Sequence, residues 1–287
     1  LERALALTAD GYVVLGPGTY RTSSLLFGDA APGARTAILW GDETGALTGD
    51  PAGPVVLDFG GQRGLTLRGP TVLHGVWITG ARNSGLRVLA NVTSAWIQHS
   101  VFCGNEAEGI WSAGSGVDLI DNLVSGNGGW GVRLTPKRGS GYVRIMNATV
   151  VRNGQGGLWA VDRTRPYPQL RLANNIIASN HGPGAFLYAG AARSIPWGFN
   201  LNLDGYPKLR PQGPGELSDP PLFASEQLDA PPACPPAGAY RLLPQSPARD
   251  RGAGDVRVLG LSSRSAISDG TPDRSAPDLG YHGPLVP

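Results

Sequence analysis

The sequence predicts an all-β solenoid, in which successive coils of the chain each contribute three short strands. A pattern of glycine, short apolar strand, loop, second strand, polar corner, third strand and asparagine recurs between residues 85 and 180. The glycines that open the repeats lie 21, 24, 22, 26 and 27 residues apart: Gly64, Gly85, Gly109, Gly131, Gly157 and Gly184. Self-similarity at this period is typical of solenoids.

Two columns of polar residues repeat in step with these glycines. The first column precedes each glycine opening and contains Asn105, Asn127, Asn153 and Asn180. The second lies six residues earlier and contains His99, Asp121, Asn147 and Asn174. Asparagine tolerates the left-handed backbone region, and its amide can form hydrogen bonds along a stack of equivalent turns. We therefore expect both columns at corners of the solenoid.

The apolar residues of each repeat form short strands rather than helices. Three runs fall within one repeat, at 109–111, 117–120 and 123–124, and Gly, Asn, Ser and Asp residues separate them. Such runs are typical of strands joined by turns. The sequence has neither the 3.6-residue apolar stripe of a helical repeat nor the leucine spacing of a leucine-rich repeat.

Four repeated blocks resemble the coils of the pectate-lyase-like superfamily: WIQHSVFCGN, DLIDNLVSGN, RIMNATVVRN and RLANNIIASN. That superfamily includes chondroitinase-B-like enzymes and uncharacterised extracellular β-helix proteins. The resemblance implies a right-handed, single-stranded parallel β-helix of about seven coils over residues 11–200. It also implies a secreted or cell-surface location, and removal of a secretion signal or trimming would account for a chain that begins at Leu1.

The two ends of the solenoid are expected to be covered. Residues 1–10 are predicted to form a short amphipathic capping helix, because an open solenoid end exposes apolar strand edges. Residues 201–287 are rich in proline, which precludes a regular strand ladder. Segments 219–223 and 277–282 are similar to closing segments of bacterial β-helices, which implies that this tail packs over the C-terminal end. Disorder of the tail is the alternative.

Composition and cysteine content narrow the class of protein. The 287 residues are 41% hydrophobic with a net charge of +2, which suits a long buried core and argues against a nucleic-acid partner. No apolar run reaches the length that spans a membrane. Cys103 and Cys234 either form a disulfide that fixes the tail to the solenoid or remain thiols. The resemblance suggests calcium as a cofactor, although the acidic residues form no recognisable run of ligands.

The first strand of each coil is predicted to carry an outward-facing column of side chains. Strand residues alternate faces, so the residue after the first apolar position of each strand faces out. The column predicted in this way contains Arg87, Trp111, Arg133, Trp159 and Leu187. Coils lie about 4.8 Å apart, so the column spans roughly 19 Å, which would accommodate a short oligosaccharide.

The alternation of tryptophan and arginine favours an acidic polysaccharide as the ligand. An aromatic ring suits the apolar face of a sugar, and arginine binds carboxylate or sulfate groups through two donors. The substrate-binding candidates are Arg87, Trp111, Trp159, Glu106 and Glu108. The alternative is a structural ladder, in which arginine stacks on tryptophan or loops cover the rings.

Basic loops beside this column predict a polysaccharide lyase that acts by β-elimination. The reaction needs cations that stabilise the enolate-like charge and a base that removes the proton next to the carboxylate. Arg133, Arg163 and Arg165 are the candidate cations, and Lys137, Tyr167 or His181 is the candidate base. The arginine signatures of pectate lyases and the Arg-Ile-Gly signature of chondroitinase-B-like lyases are absent.

Two other function classes fit the same fold. A glycoside hydrolase would use a pair of carboxylates, for which Glu106, Glu108 and Asp162 are the available groups. A non-catalytic carbohydrate-binding or structural surface β-helix would need only the column itself. The sequence leaves the choice of polysaccharide and the oligomeric state open.

Overall fold

A computed structural model describes most of the chain. The described residues are 11–31, 34–135, 141–160, 169–187, 197–205, 214–224, 234, 240–255, 257, 259, 261, 263–268, 271–273 and 276–284. The capping helix predicted for residues 1–10 lies outside them. The described residues contain no α-helix, and so no helix among them could cross a membrane.

Three parallel sheets form the walls of the solenoid, and the predicted right-handed parallel β-helix is confirmed. Sheet A contains β1 (Tyr12–Leu15), β4 (Ala37–Gly41), β7 (Thr71–His74), β10 (Ala95–Gln98), β13 (Val117–Ile120), β16 (Tyr142–Met146), β19 (Gln169–Ala173) and β22 (Trp197–Gly198). Sheet B contains β2 (Gly18–Arg21), β5 (Val55–Asp58), β8 (Trp77–Thr79), β11 (Val101–Cys103), β14 (Leu123–Ser125), β17 (Thr149–Val151), β20 (Ile176–Ala178) and β23 (Leu201–Asn202). Sheet C contains β3 (Leu25–Phe27), β6 (Leu65–Leu67), β9 (Leu86–Val88), β12 (Ile110–Ser112), β15 (Trp130–Leu134), β18 (Gly156–Ala160) and β21 (Ala185–Leu187).

Each coil therefore passes once through sheets A, B and C before the next coil begins. The strand that follows each predicted glycine opening belongs to sheet C, so the first strand of each predicted repeat lies in this sheet. Inward-facing apolar residues of successive strands pair in register, as in the buried row Leu39, Leu73, Ile97, Leu119, Ile145 and Leu172 of sheet A. Rows of this kind fill the interior of the solenoid along its length.

The corner between sheets A and B contains the second predicted polar column. His99, Asp121, Asn147 and Asn174 have φ angles of 51°, 53°, 53° and 58°, in the left-handed region. Asparagine and aspartate reach this region more readily than other non-glycine residues, as the prediction required. One residue before this corner, at the end of β7, His74 stacks on Trp40 with ring centroids 3.6 Å apart.

The corner between sheets B and C contains the first predicted column as a buried asparagine ladder. The Nδ2 group of Asn105 donates to Oδ1 of Asn127 at 2.9 Å, and the bonds from Asn127 to Asn153 and from Asn153 to Asn180 are the same length. Asn180 donates in turn to Asp204 at 2.8 Å. Each amide thus satisfies polar groups of the next coil that would otherwise be buried without partners.

The described residues of the tail pack mainly along the side of the solenoid rather than over its end. Sheet B is apolar on its outer face, where Val101, Leu123 and Ile176 form a buried cluster with Leu242 and Leu279 of the tail. A disulfide joins Cys103, on this outer face, to Cys234 of the tail. Strands β24 (Arg264–Ser265) and β25 (Gly283–Pro284) form an antiparallel pair within the tail.

Candidate functional site

The outer face of sheet C carries one continuous column of paired residues. The strand register places Leu26, Thr66, Arg87, Trp111, Arg133, Trp159 and Phe186 side by side. We call this set the sheet C column. The prediction that Leu187 belongs to it is wrong, because Leu187 pairs with Ala160 and is buried. Neighbouring residues of a strand point to opposite faces of the sheet, so Phe186, which pairs with Trp159, is the residue of β21 that faces outward.

Arginine and tryptophan of the sheet C column stack in two pairs. The guanidinium carbon of Arg87 lies 4.9 Å from the ring centroid of Trp111, and that of Arg133 lies 4.8 Å from the centroid of Trp159. Both distances are within the range of a cation–π interaction. The pairing that the ladder alternative requires is therefore present, while both tryptophans remain partly exposed. Stacked arginines hold the rings in place and leave the edge of the column accessible.

Glu108 lies beside the column and pairs with Arg133. Nη1 of Arg133 donates to Oε1 of Glu108 at 2.9 Å, and the hydroxyl of Ser84 donates to Oε2 at 2.8 Å. Burial alone would raise the pKa of Glu108, but the hydrogen bonds from Arg133 and Ser84 outweigh burial and hold the pKa below its ordinary value. Glu108 is thus a carboxylate at neutral pH, and it compensates the charge of Arg133.

Arg87 is electrostatically different from Arg133. Among the described residues, no carboxylate lies within ion-pair distance of Arg87, and its guanidinium stacks on the Trp111 ring. Arg87 therefore presents an uncompensated positive charge on the sheet C column. Arg87 is partly exposed, so an anionic group in solution can reach its guanidinium.

The structure describes only two of the remaining predicted site residues. Glu106 and His181 are exposed in the corner between sheets B and C, and their backbone N–H groups donate to Ala81 and Asn153. Lys137, Arg163, Arg165 and Tyr167, together with Asp162, lie outside the described residues. Among the described residues, the structure thus brings together Arg87, Trp111, Arg133, Trp159 and Glu108.

No metal site is found in the part of the chain that the structure describes. No group of three or more His, Cys, Asp or Glu side chains is arranged there to hold an ion.

A buried charged network that was not predicted from the sequence joins the tail to the corner of sheets A and B. The backbone N–H of His282 donates to Oδ1 of Asp121 at 2.6 Å, and the Nε2 atom of His282 lies 2.9 Å from Oδ2 of Asp273. His99 lies 2.6 Å from the other oxygen of Asp121, and Arg264 is 3.3 Å from it. The side chains of Asp121 and His282 are fully buried. This network holds the tail in place and is closed to a substrate.

Burial and hydrogen bonding have opposite effects on the pKa values of this network. Burial lowers the pKa of His282, but hydrogen bonds to Asp121 and Asp273 outweigh burial and raise the pKa to about 9. Burial raises the pKa of Asp121, but hydrogen bonds from His282 and His99 outweigh it and hold the pKa well below its ordinary value. His282 is therefore a cation between two carboxylates at neutral pH. An aspartate in a corner column of asparagines was the only sign of this network in the sequence.

Comparison with known proteins supports the fold. A family described as "Right handed beta helix region" matches residues 63–196, which include most of the regular coils. No curated protein and no solved structure matches the chain. A right-handed β-helix is compatible with a carbohydrate-active protein or a surface protein.

Proposed function

We propose that this β-helix binds an acidic polysaccharide along the sheet C column. The observation that carries the proposal is the unbroken register of cationic and aromatic side chains on one exposed face, from Arg87 to Phe186. Five successive rungs at about 4.8 Å each give a surface roughly 19 Å long, which matches several sugar units in a row. Tryptophan edges contact sugar rings, and Arg87 binds the carboxylate or sulfate groups.

The two arginines have different roles in this proposal. Arg87 supplies the uncompensated charge that attracts the polymer, while Arg133 orients Trp159 and shares its charge with Glu108. A guanidinium already paired with a carboxylate contributes little to the neutralisation of a second one. Arg133 is thus a binding residue rather than the cation that stabilises an enolate.

A more specific proposal is that the protein also cleaves the bound polysaccharide by β-elimination. It would depend on the predicted cations and bases of the loops after β15 and β18, namely Lys137, Arg163, Arg165 and Tyr167, or on the exposed His181. A glycoside hydrolase is less favoured, because Glu108 is deprotonated and held by Arg133 and Ser84 and so is unsuited to the role of general acid.

The test is electrophoresis in native gels that contain dissolved polygalacturonate, alginate or chondroitin sulfate. The wild-type protein should be retarded by at least one polymer, and Arg87→Ala should weaken the retardation about fivefold or more. Arg257→Ala, which removes an exposed arginine of the tail, is the matched control for the change in net charge. Equal retardation of Arg87→Ala and Arg257→Ala would contradict binding at the column.

The lyase form is tested with the same polymers by ultraviolet absorbance of unsaturated uronate. Growth of this absorbance, lost in His181→Ala or Tyr167→Phe, would establish elimination at this face. Binding without any growth of absorbance, with and without added calcium, would leave a binding protein and remove the lyase form.

A further inference from the structure

The sheet C column repeats its chemistry with a period of two coils. Arginine alternates with tryptophan along the register, so that Arg87 lies two rungs from Arg133. Trp111 lies two rungs from Trp159 in the same way. Each arginine stacks on the tryptophan of the following rung, at 4.9 Å and 4.8 Å from the ring centroid. Coils lie about 4.8 Å apart, so equivalent side chains recur roughly every 9.6 Å.

This period corresponds to two sugar units of an extended glycan. One pyranose of such a chain advances by about one rung, so neighbouring units lie over neighbouring side chains of the column. A neutral unit places its C–H groups against the exposed edge of a tryptophan ring. An acidic unit brings its carboxylate to a guanidinium, which binds it by charge-assisted hydrogen bonds. A glycan in register with the column therefore carries an acidic group on every second unit.

The two arginine rungs both offer donors to an acidic unit. Arg87 has no carboxylate within ion-pair distance among the described residues, so its charge is available to a ligand. Arg133 donates from Nη1 to Glu108, but 41% of its side chain is exposed, which leaves further N–H groups for a ligand. The column thus has a stronger site for an acidic group at Arg87 and a weaker one at Arg133, two units further along.

Acidic groups at the tryptophan rungs would be poorly compensated. The rings of Trp111 and Trp159 carry no charge, and a carboxylate placed against an apolar edge loses part of its hydration at a cost in free energy. The Glu108 carboxylate, which pairs with Arg133, would also repel further negative charge close to this part of the column. A glycan with an acidic group on every unit gains the contact with Arg87 but meets these costs at the intervening rungs.

We propose that the sheet C column selects glycans in which acidic and neutral sugar units alternate, an inference that rests on the polysaccharide binding proposed above. The acidic units lie over Arg87 and Arg133. The neutral units lie over Trp111 and Trp159. Hyaluronan and unsulfated chondroitin have this alternation, whereas polygalacturonate and alginate carry a carboxylate on every unit. A uniformly acidic chain still binds through Arg87 at low salt, but it binds more weakly than an alternating chain once salt screens the general attraction.

The test is calorimetric titration with a hyaluronan hexasaccharide and with a galacturonate hexasaccharide, at about 0.15 M salt. Both ligands have six units, so they differ in the spacing and number of their carboxylates. The wild type should bind the hyaluronan hexasaccharide about fivefold more tightly than the galacturonate hexasaccharide. Trp111→Ala combined with Trp159→Ala should weaken hyaluronan binding and remove this preference, because the neutral units lose their aromatic contacts.

Two variants with the same added charge test the spacing itself. Leu26 and Thr66 occupy the two rungs that precede Arg87, and a hexasaccharide spans the six rungs from Leu26 to Trp159. Leu26→Arg adds a cation two rungs from Arg87 and continues the period, and it should raise the affinity for the hyaluronan hexasaccharide about threefold. Thr66→Arg adds the same charge one rung from Arg87, and it should instead favour the galacturonate hexasaccharide by a similar factor.

The outcomes separate this selection from polysaccharide binding as such. Galacturonate binding that equals or exceeds hyaluronan binding, or equal gains for both ligands in Leu26→Arg and Thr66→Arg, would overturn the selection and leave a column that binds acidic polysaccharide by charge alone. Hyaluronan binding that survives the loss of Trp111 and Trp159 would place the site elsewhere and overturn it too. Absence of hyaluronan binding by the wild type also overturns the selection. If no polymer retards the wild type in native gels either, the proposed function fails with it.

Discussion

The guanidinium carbon of Arg133 lies 4.8 Å from the ring centroid of Trp159. The same guanidinium forms an ion pair with Glu108, so the Arg133 side chain contacts an aromatic ring from the next coil and a carboxylate from the preceding coil. The pair is partly exposed, with 41% of the Arg133 side chain accessible, and solvent screening limits the net strength of the ion pair to about 1 kcal/mol or less. The arrangement orients the column more than it stabilises the fold.

Glu108→Gln should raise the affinity for acidic polysaccharide. The substitution keeps one oxygen that accepts from Arg133, turns an amide donor towards the Ser84 hydroxyl, which can accept it, and removes the charge that compensates the guanidinium. Retardation in polygalacturonate gels at low salt should increase about two- to fivefold, and the increase should disappear at high salt. Glu106→Gln, in the same corner but exposed, is the control and should have a smaller effect. A weaker interaction in Glu108→Gln would show that the carboxylate itself contacts the polymer.

Asn127→Ala should destabilise the solenoid strongly. The amide of Asn127 donates to Asn153 and to the carbonyl of Phe102 and accepts from Asn105, all in a buried corner. Loss of these bonds leaves buried polar groups unpaired and should lower the free energy of unfolding by about 3 kcal/mol. Asn91→Ala removes an exposed asparagine that bonds one carbonyl, and it should cost less than about 1 kcal/mol. Denaturant unfolding of both variants measures the difference, and similar losses would mean that the ladder contributes nothing specific.

Removal of the disulfide should loosen the tail. Cys103 and Cys234 are separated by 131 residues, and a cross-link that closes so long a loop lowers the entropy of the unfolded chain, which stabilises the folded state by about 5 kcal/mol. Cys103→Ser combined with Cys234→Ser should therefore lower Tm and increase binding of an apolar dye, because the outer face of sheet B becomes accessible. Limited proteolysis should cleave the tail of this variant first. Unchanged Tm and dye binding would show that packing alone holds the tail.

The stability of the protein should fall as the pH rises from about 7 to 9. His282 has its pKa raised from 6.5 to about 9 in the folded state, so its contribution is complete below pH 6.5 and is lost as the pH rises through 9. The loss is on the order of 3 kcal/mol. Glu43 and Asp278, each with a pKa that burial raises to about 7, contribute a further decrease that begins near pH 4 and is mostly complete by pH 8.

His282→Gln isolates this contribution. The variant should be less stable than the wild type at pH 6, because Asp121 and Asp273 lose the cation between them. It should also show a much smaller decrease in Tm between pH 7 and 9. The same slope in both proteins would mean that His282 is neutral in the folded state.

Spacing in the sequence was sufficient to predict the coils, both corner columns and most of the sheet C column. Each of these features recurs in every coil, so a position that is ambiguous in one repeat can be assigned from the equivalent positions in the others. The prediction failed for Leu187, in a coil where one residue decides which face a side chain occupies. The same alternation rule, applied to the second strand of each coil, would have placed Trp96 on the outer face of sheet A.

Contacts that do not repeat were beyond the reach of the sequence. Asp121 and His282 are separated by 161 residues, and nothing in the proline-rich tail fixes where it meets the solenoid. The pairing of Arg133 with Glu108 depends on the path of the corner between sheets B and C, which the spacing of glycines and asparagines does not specify. Both contacts follow from tertiary packing rather than from local pattern.

Polysaccharide binding along the sheet C column is decided by calorimetric titration of an oligogalacturonate into the wild type and into the Trp111→Ala, Trp159→Ala variant. At low salt the wild type should bind, and the variant should bind at least about tenfold more weakly at the sheet C column. The wild-type affinity should fall as salt is added, since Arg87 supplies much of the attraction. Equal affinity of the two proteins, or no binding by the wild type, would contradict a polysaccharide site on this face.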